Sequence, residues 1–194
     1  MKILKRSITV LVCLILFTSC TKSIDGKKEN EYIEEKKGIT YYKGEPFTGE
    51  IFRNYDNGQL KAKINYTDGK KDGLLERYYE NGQLNEKGNY KDDRRDGLYE
   101  SYYKNGQLKE KGNFKDDKKQ DGLYERYFEG GNLVYIENYK NGKRNGLSKR
   151  WESNNIYNKF LSEGNYKDGK KDGLWKETWD NRKFKSSGGF KDGI

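Results

Sequence analysis

A 24-residue unit returns in register along most of this chain, and that period restricts the fold more than any other feature. Its opening glycine stands at Gly49, Gly73, Gly97, Gly122, Gly146 and Gly173, at intervals of 24, 24, 25, 24 and 27 residues. Self-similarity of this kind marks a repeat architecture, in which each unit buries an apolar face against the next. The stretch Gly97 to Gln120, GLYESYYKNGQLKEKGNFKDDKKQ, is one of about five and a half copies.

Inside each unit the large side chains return at even intervals. Two residues beyond the glycine stand Ile51, Leu75, Tyr99, Tyr124, Ser148 and Trp175; six beyond it stand Tyr55, Tyr79, Tyr103, Phe128, Glu152 and Trp179. The second half runs from Leu60, Leu84, Leu108, Leu133, Phe160 and Phe184 to Tyr66, Tyr90, Phe114, Tyr139, Tyr166 and Phe190, again six residues apart. Even spacing places such residues on one face of an extended strand. Gly88, Gly112, Gly164 and Gly188 recur in mid-strand, with Ile64 and Glu137 in the same column. A strand glycine that recurs implies that a ring or backbone from the neighbouring strand passes close.

Asn57-Gly58, Asn81-Gly82, Asn105-Gly106 and Gly130-Gly131 join the two halves, and Asn-Gly is the signal of a type I′ hairpin turn. Loops of the DGKKDG kind, at 68–73, 92–97, 116–122, 141–146 and 168–173, join one unit to the next. The 25-residue interval reflects one additional residue between Asp116 and Gly122; the 27-residue interval places three around Ser153-Asn154-Asn155. The expected fold is all-β: an elongated, solenoid-like antiparallel sheet of stacked β-hairpins over residues 38–194.

Composition becomes informative only beside this pattern. With 31% hydrophobic and 37% charged residues the chain has the balance of a disordered protein, but disorder has no need to return tyrosine at a fixed interval. Of the net charge of +9, Lys2, Lys5 and Arg6 belong to the first residues, which leaves a mild excess that disfavours nucleic acid as a partner. Histidine is absent, and with it the commonest general base.

Residues 1–19 combine a basic start with the apolar run Ser7 to Phe17, too short to span a bilayer and proportioned like a secretory signal. Leu16-Phe17-Thr18-Ser19-Cys20 resembles the bacterial lipobox, with Phe where Leu is usual. The resemblance implies cleavage before Cys20, lipidation of that residue and anchorage on the extracytoplasmic side of an envelope membrane, with the outer membrane open to it. A plain secretory peptide and an uncleaved amphipathic start are the alternatives. Cys13 would leave with the signal, so Cys20 would have no disulfide partner within the chain. Residues 20–37 read as a polar tether, with a marginal helix over 29–37 as an option.

The units, GLLERYYENGQLNEKGNYKDDRRD among them, resemble the bacterial variant of the MORN repeat over residues 38–194. That resemblance implies a stacked-hairpin solenoid serving attachment or binding. It also brings a toxin–antitoxin association found among similar bacterial chains.

Two surfaces stand out as candidates. Cation pairs recur in the joining loops at Lys70-Lys71, Arg94-Arg95, Lys118-Lys119, Lys143-Arg144 and Lys170-Lys171. Spaced about every 10 Å along one edge, they read either as a solvated edge balanced by flanking aspartates or as a ladder for an anionic lipid or polysaccharide. Tyr78, Tyr102, Tyr127 and Trp151 fall on the face opposite the six-residue column. They read either as cover for the sheet or as a groove for carbohydrate or extended peptide.

No singled-out carboxylate pair, phosphate-binding glycine loop or EF-hand spacing is present, so the expectation is a non-enzymatic protein without cofactor or metal. Its expected partners are the membrane through Cys20 and an envelope protein, polysaccharide or anionic lipid. The alternative is a toxin that it inhibits by direct binding, and an inert surface module is a third reading.

Overall fold

A computed structural model describes residues 22–153, 158–178 and 184–191. The first nineteen residues, Cys20, Trp179 and the expected insertion after Ser153 lie outside the described residues. The strands are β1 (Ser23–Asp25), β2 (Ile33–Lys36), β3 (Ile39–Tyr42), β4 (Glu45–Pro46), β5 (Gly49–Asn54), β6 (Leu60–Thr67), β7 (Lys70–Tyr78), β8 (Leu84–Lys91) and β9 (Arg94–Tyr102). They continue as β10 (Leu108–Lys115), β11 (Lys118–Lys119), β12 (Gly122–Tyr127), β13 (Leu133–Lys140), β14 (Lys143–Ser153), β15 (Asn158–Lys167), β16 (Lys170–Thr178) and β17 (Phe184–Phe190). From β5 onward they form one long open antiparallel meander, each body strand beside the next, with the short β11 paired to β10. The all-β hairpin sheet expected from the period is the observed fold.

The two kinds of turn exchange the roles their sequences suggest. Asp68-Gly69, Asn141-Gly142 and Asp168-Gly169 have both residues at positive φ between ladder pairs such as Thr67 and Lys70, the form of a two-residue type I′ turn. The supposed joining loops are therefore tight turns of this kind followed at once by strand. At Asn57-Gly58 only the glycine is left-handed, at φ +86°. There the Gly58 N–H donates to the Tyr55 carbonyl at 3.0 Å and the Tyr55 N–H to the Gln59 carbonyl at 2.8 Å. This is a three-residue loop ending in a glycine bulge, not the type I′ turn expected. Asparagine serves it through its amide: Asn57 Oδ1 accepts from the Gln59 N–H at 3.0 Å, while Nδ2 reaches the Glu80 carbonyl in the next repeat at 3.2 Å.

One row of side chains crosses the sheet on its inner face: Ile51, Ile64, Leu75, Gly88, Tyr99, Gly112, Tyr124, Glu137, Ser148, Gly164 and Trp175. Neighbours in the row match in volume. Ile64 faces Leu75, but Gly88, Gly112 and Gly164 lie beneath the rings of Tyr99, Tyr124 and Trp175. A Cβ on Gly88 would sit 2.9 Å from Tyr99 Cδ2, and one on Gly112 or Gly164 would be closer still to its ring. The recurring glycine thus makes room for a ring, and the departures Ile64, Glu137 and Ser148 each meet a partner of adjusted size. Phe114 then wedges between Tyr99 and Tyr124, edge-on at 5.8 Å to both.

The opening glycines all have positive φ, from +73° to +144°, and the pairing with the preceding strand slips beside them. A bulge bends its strand, and here it brings the turn end of each hairpin back over the inner face. Asn65 and Asn138 secure the bend by donating from Nδ2 to the Leu74 and Leu147 carbonyls, both at 2.8 Å.

Residues 22–48, expected in large part as a tether, contribute a cap. β1 pairs parallel with β5, burying Ile24 against Ile51 and Phe47, while β2, β3 and β4 make a small sheet whose Ile33 and Tyr42 pack on the same cluster. A 3-10 turn at Asn30–Tyr32 replaces the optional helix. High charge hid four spaced apolar residues, Ile24, Ile33, Tyr42 and Phe47, and they cover the first repeat, which has no preceding repeat among the described residues.

Candidate functional site

In four of the five pairs the second cation is not a free edge charge. The Arg95 guanidinium lies 4.0 Å from the Phe114 ring centre, Arg144 4.0 Å from Tyr166, and the Lys119 and Lys171 ammonium groups 3.5 Å from Tyr124 and 4.3 Å from Trp175. These cations roof the aromatic row. Lys71 lies in the same column, its backbone N–H bonded to Asp93 Oδ1 at 2.9 Å. Of the first cations, Lys70 pairs with Asp92 at 3.5 Å and Arg94 with Asp116 at 3.6 Å. Among the described residues only Lys118, Lys143 and Lys170 of the ten have exposed side chains without an ion pair, a hydrogen bond or a ring contact. The basic ladder is thus largely neutralised or turned inward.

The opposite, outer face carries three stripes that run across the strands. In the first, Leu74, Leu98, Leu123 and Leu147 alternate with Asn89, Asn113, Asn138 and Asn165. Leu98, Leu123 and Leu147 are just over 40% exposed and Leu174, further along, is 77% exposed. The second stripe alternates in charge through Lys63, Glu76, Lys87, Glu100, Lys111 and Glu125. Beyond Ile136 it resumes with inverted polarity as Lys149, Glu163 and Lys176. Ion pairs of 2.8–3.3 Å tie its members, Lys87–Glu76, Lys111–Glu100 and Lys176–Glu163 among them. The hydrogen bond from Lys111 holds the Glu100 carboxyl below its ordinary range. The change from acid to base along the first strands is therefore answered residue by residue on the second strands.

The third stripe holds the expected Tyr78, Tyr102, Tyr127 and Trp151, half-buried and paired across strands with Leu84, Leu108, Leu133 and Phe160. Tyr78 and Tyr102 donate from their hydroxyls to Glu76 and Glu100 at 3.2 and 2.9 Å. Burial raises the pKa of both, and the adjoining carboxylates add to it. Sequence reasoning found this stripe but missed the leucines, whose signal was the residue following every opening glycine from Gly73 onward. It also missed the asparagine preceding the aromatic of every second strand but the last, as in Asn89-Tyr90.

A long single sheet, roofed on one face and open on the other, defines a repeat-based binding or scaffold protein. The MORN repeat variant family matches residues 47–68, 71–92, 95–116 and 120–141, so these four segments are similar to its repeats. No curated protein matches the chain. Strands β14 to β17 continue the same hairpin succession beyond the matched segments.

Proposed function

We propose that the protein is a non-enzymatic scaffold of the bacterial envelope, held to a membrane through a lipidated Cys20, that seats a protein partner along its outer sheet face. The observation that carries this reading is the pair of parallel apolar stripes, Leu74 to Leu174 and Tyr78 to Trp151, flanking an internally neutralised row of charges. Apolar anchors beside satisfied polar groups have the make-up of a protein interface. A polyanion would want free cations, and the edge has few. A glycan would want flat exposed rings, and these are half-buried against leucines with the Tyr78 and Tyr102 hydroxyls already engaged.

The test places a photo-crosslinking side chain at Leu98 or Leu123 of the full chain in growing cells, with Lys118 on the edge as the control. One discrete protein adduct is expected from both leucine sites, weak from Lys118 and lost when Leu74 and Leu147 are replaced by Glu. Equal labelling from all three sites, or none from the leucines, would remove the outer face from consideration. Palmitate incorporation that survives Cys20→Ser would remove the anchor.

A further inference from the structure

One repeat carries a carboxylate at the middle of its inner face. Where the corresponding strands β8, β10 and β15 place glycine under a ring, β13 places Glu137, a carboxylate only 5% exposed, and opposite it stands Ser148 instead of a large side chain. Three rings gather beside the carboxylate. Tyr135 stacks on Tyr124 at 5.9 Å, and Tyr139 meets Tyr124 edge-on at 6.4 Å while donating from its hydroxyl to Glu137 Oε2 at 2.9 Å. Ring faces with a carboxylate at the base are the equipment that recognises an ammonium group.

The chain's own Lys119 fills that place. Its Nζ lies 3.5, 4.9 and 5.5 Å from the centres of Tyr124, Tyr139 and Tyr135, 3.5 Å from Glu137 Oε2 and 3.2 Å from the Tyr139 hydroxyl. Burial disfavours its charged form more than Glu137 restores it, so the ammonium is held at a desolvation cost. The segment that brings it is also unlike its counterparts. Strands β7, β9, β14 and β16 run unbroken from turn to body, whereas β11 is two residues long and Gln120 and Asp121 separate it from β12. This is the site of the extra residue. When Lys119 leaves, Arg144 at 3.6 Å still faces Glu137, so the carboxylate keeps a counter-ion.

We propose that Tyr124, Tyr135, Tyr139 and Glu137 form a binding site for a primary alkylammonium group, with Lys119 as its displaceable internal occupant. A primary amine fits better than a quaternary one because the carboxylate and the Tyr139 hydroxyl accept hydrogen bonds from N–H. The site lies on the face opposite the proposed partner surface and does not depend on that reading.

The probe is N-acetyl-lysine methylamide, titrated calorimetrically into the full chain and into its Lys119→Met variant. The variant is expected to bind saturably and about tenfold or more tighter than wild type, the scale of removing a competing desolvated cation. Adding Glu137→Gln should abolish the binding. A Met variant that melts like wild type yet shows no saturable heat overturns the site, and equal affinity for tetramethylammonium overturns the preference for a primary amine. Should the variant melt early, the wild-type chain decides by NMR. Saturable shifts at the rings of Tyr124, Tyr135 and Tyr139 with methylammonium, beyond those with sodium chloride, support the site; shifts spread evenly over all tyrosines refute it.

Discussion

The Tyr79 hydroxyl donates a 2.8 Å hydrogen bond to the backbone carbonyl of Tyr102, one repeat further along the chain. Tyr55 reaches Tyr78 and Tyr103 reaches Tyr127 in the same way, and beside them the amides of Asn57, Asn81 and Asn105 reach Glu80, Lys104 and Glu129. Repeats are therefore sewn together along this edge by side chains as well as by the strand ladder. The stitching stops at Phe128 and Gly130, which have neither hydroxyl nor amide.

Removing one stitch should destabilise the fold by the net value of a hydrogen bond. Tyr79→Phe is expected to cost about 1 kcal/mol in denaturant unfolding. The converse, Phe128→Tyr, supplies a hydroxyl where the pattern points at the Trp151 carbonyl and should raise stability by up to about 1 kcal/mol. Equal stability of all three proteins would show that the edge bonds are no better than water.

The fit between glycine and ring gives a second prediction. Alanine in place of a strand glycine ordinarily stabilises, but Gly112→Ala pushes a methyl into the Tyr124 ring and should cost about 1–3 kcal/mol. Tyr124→Leu in the same chain should recover part of that loss, because Ile64 and Leu75 already show the column accepting a larger strand residue against a smaller partner. A double-mutant cycle checks this. Additive effects of the two substitutions would mean that Gly112 is required for its backbone alone.

The pattern made the hairpins, the sheet and the glycine-under-ring contact readable, because all three follow from even spacing and volume within neighbouring strands. What it concealed depends on contacts a full repeat away. Asn57 looks like a left-handed turn residue, yet its value lies in a bond to Glu80; no local rule sees across 23 residues. The cation pairs read as edge charge because linear order does not reveal the bulge at the opening glycine, which swings Arg95 over Phe114. The cap was hidden by the charge between Ile24, Ile33 and Phe47. The outer leucines were overlooked because a single exposed leucine is ordinary, and only the register turns them into a stripe.

Alkaline pH should loosen the inner face before it touches the rest. Burial, reinforced by Glu86, Glu110 and Glu137, pushes the phenols of Tyr99, Tyr124 and Tyr139 well above their ordinary range. A phenol whose pKa is raised by folding stabilises fully below its unfolded value near about 10 and loses that contribution as pH climbs toward the folded value. The melting temperature should therefore fall steeply above about pH 10. Tyrosinate absorbance should then grow in two stages, exposed rings first and the buried three with unfolding. A single-stage titration with an unchanged melting temperature would contradict the burial.

Asp117 occupies the second place of a type I′ turn, where its repeat-mates Gly69 and Gly169 are glycines, and it holds φ at +62°. Its carboxylate offsets that strain by accepting from the Arg95 backbone N–H at 3.1 Å and from Arg95 Nε at 2.9 Å, both in the preceding repeat. The bond from Arg95 depresses its pKa. Asp117→Ala keeps the strained φ and loses both bonds, so it should destabilise by about 1–2 kcal/mol. Asp117→Gly loses the bonds but relieves the strain and should cost less, by about 1 kcal/mol. The gap between the two variants should persist in high salt, since backbone strain is not screened, while the cost of the glycine variant shrinks as the Arg95 ion pair weakens. If alanine proves no worse than glycine, the left-handed turn is not under strain and the carboxylate alone accounts for aspartate at this position.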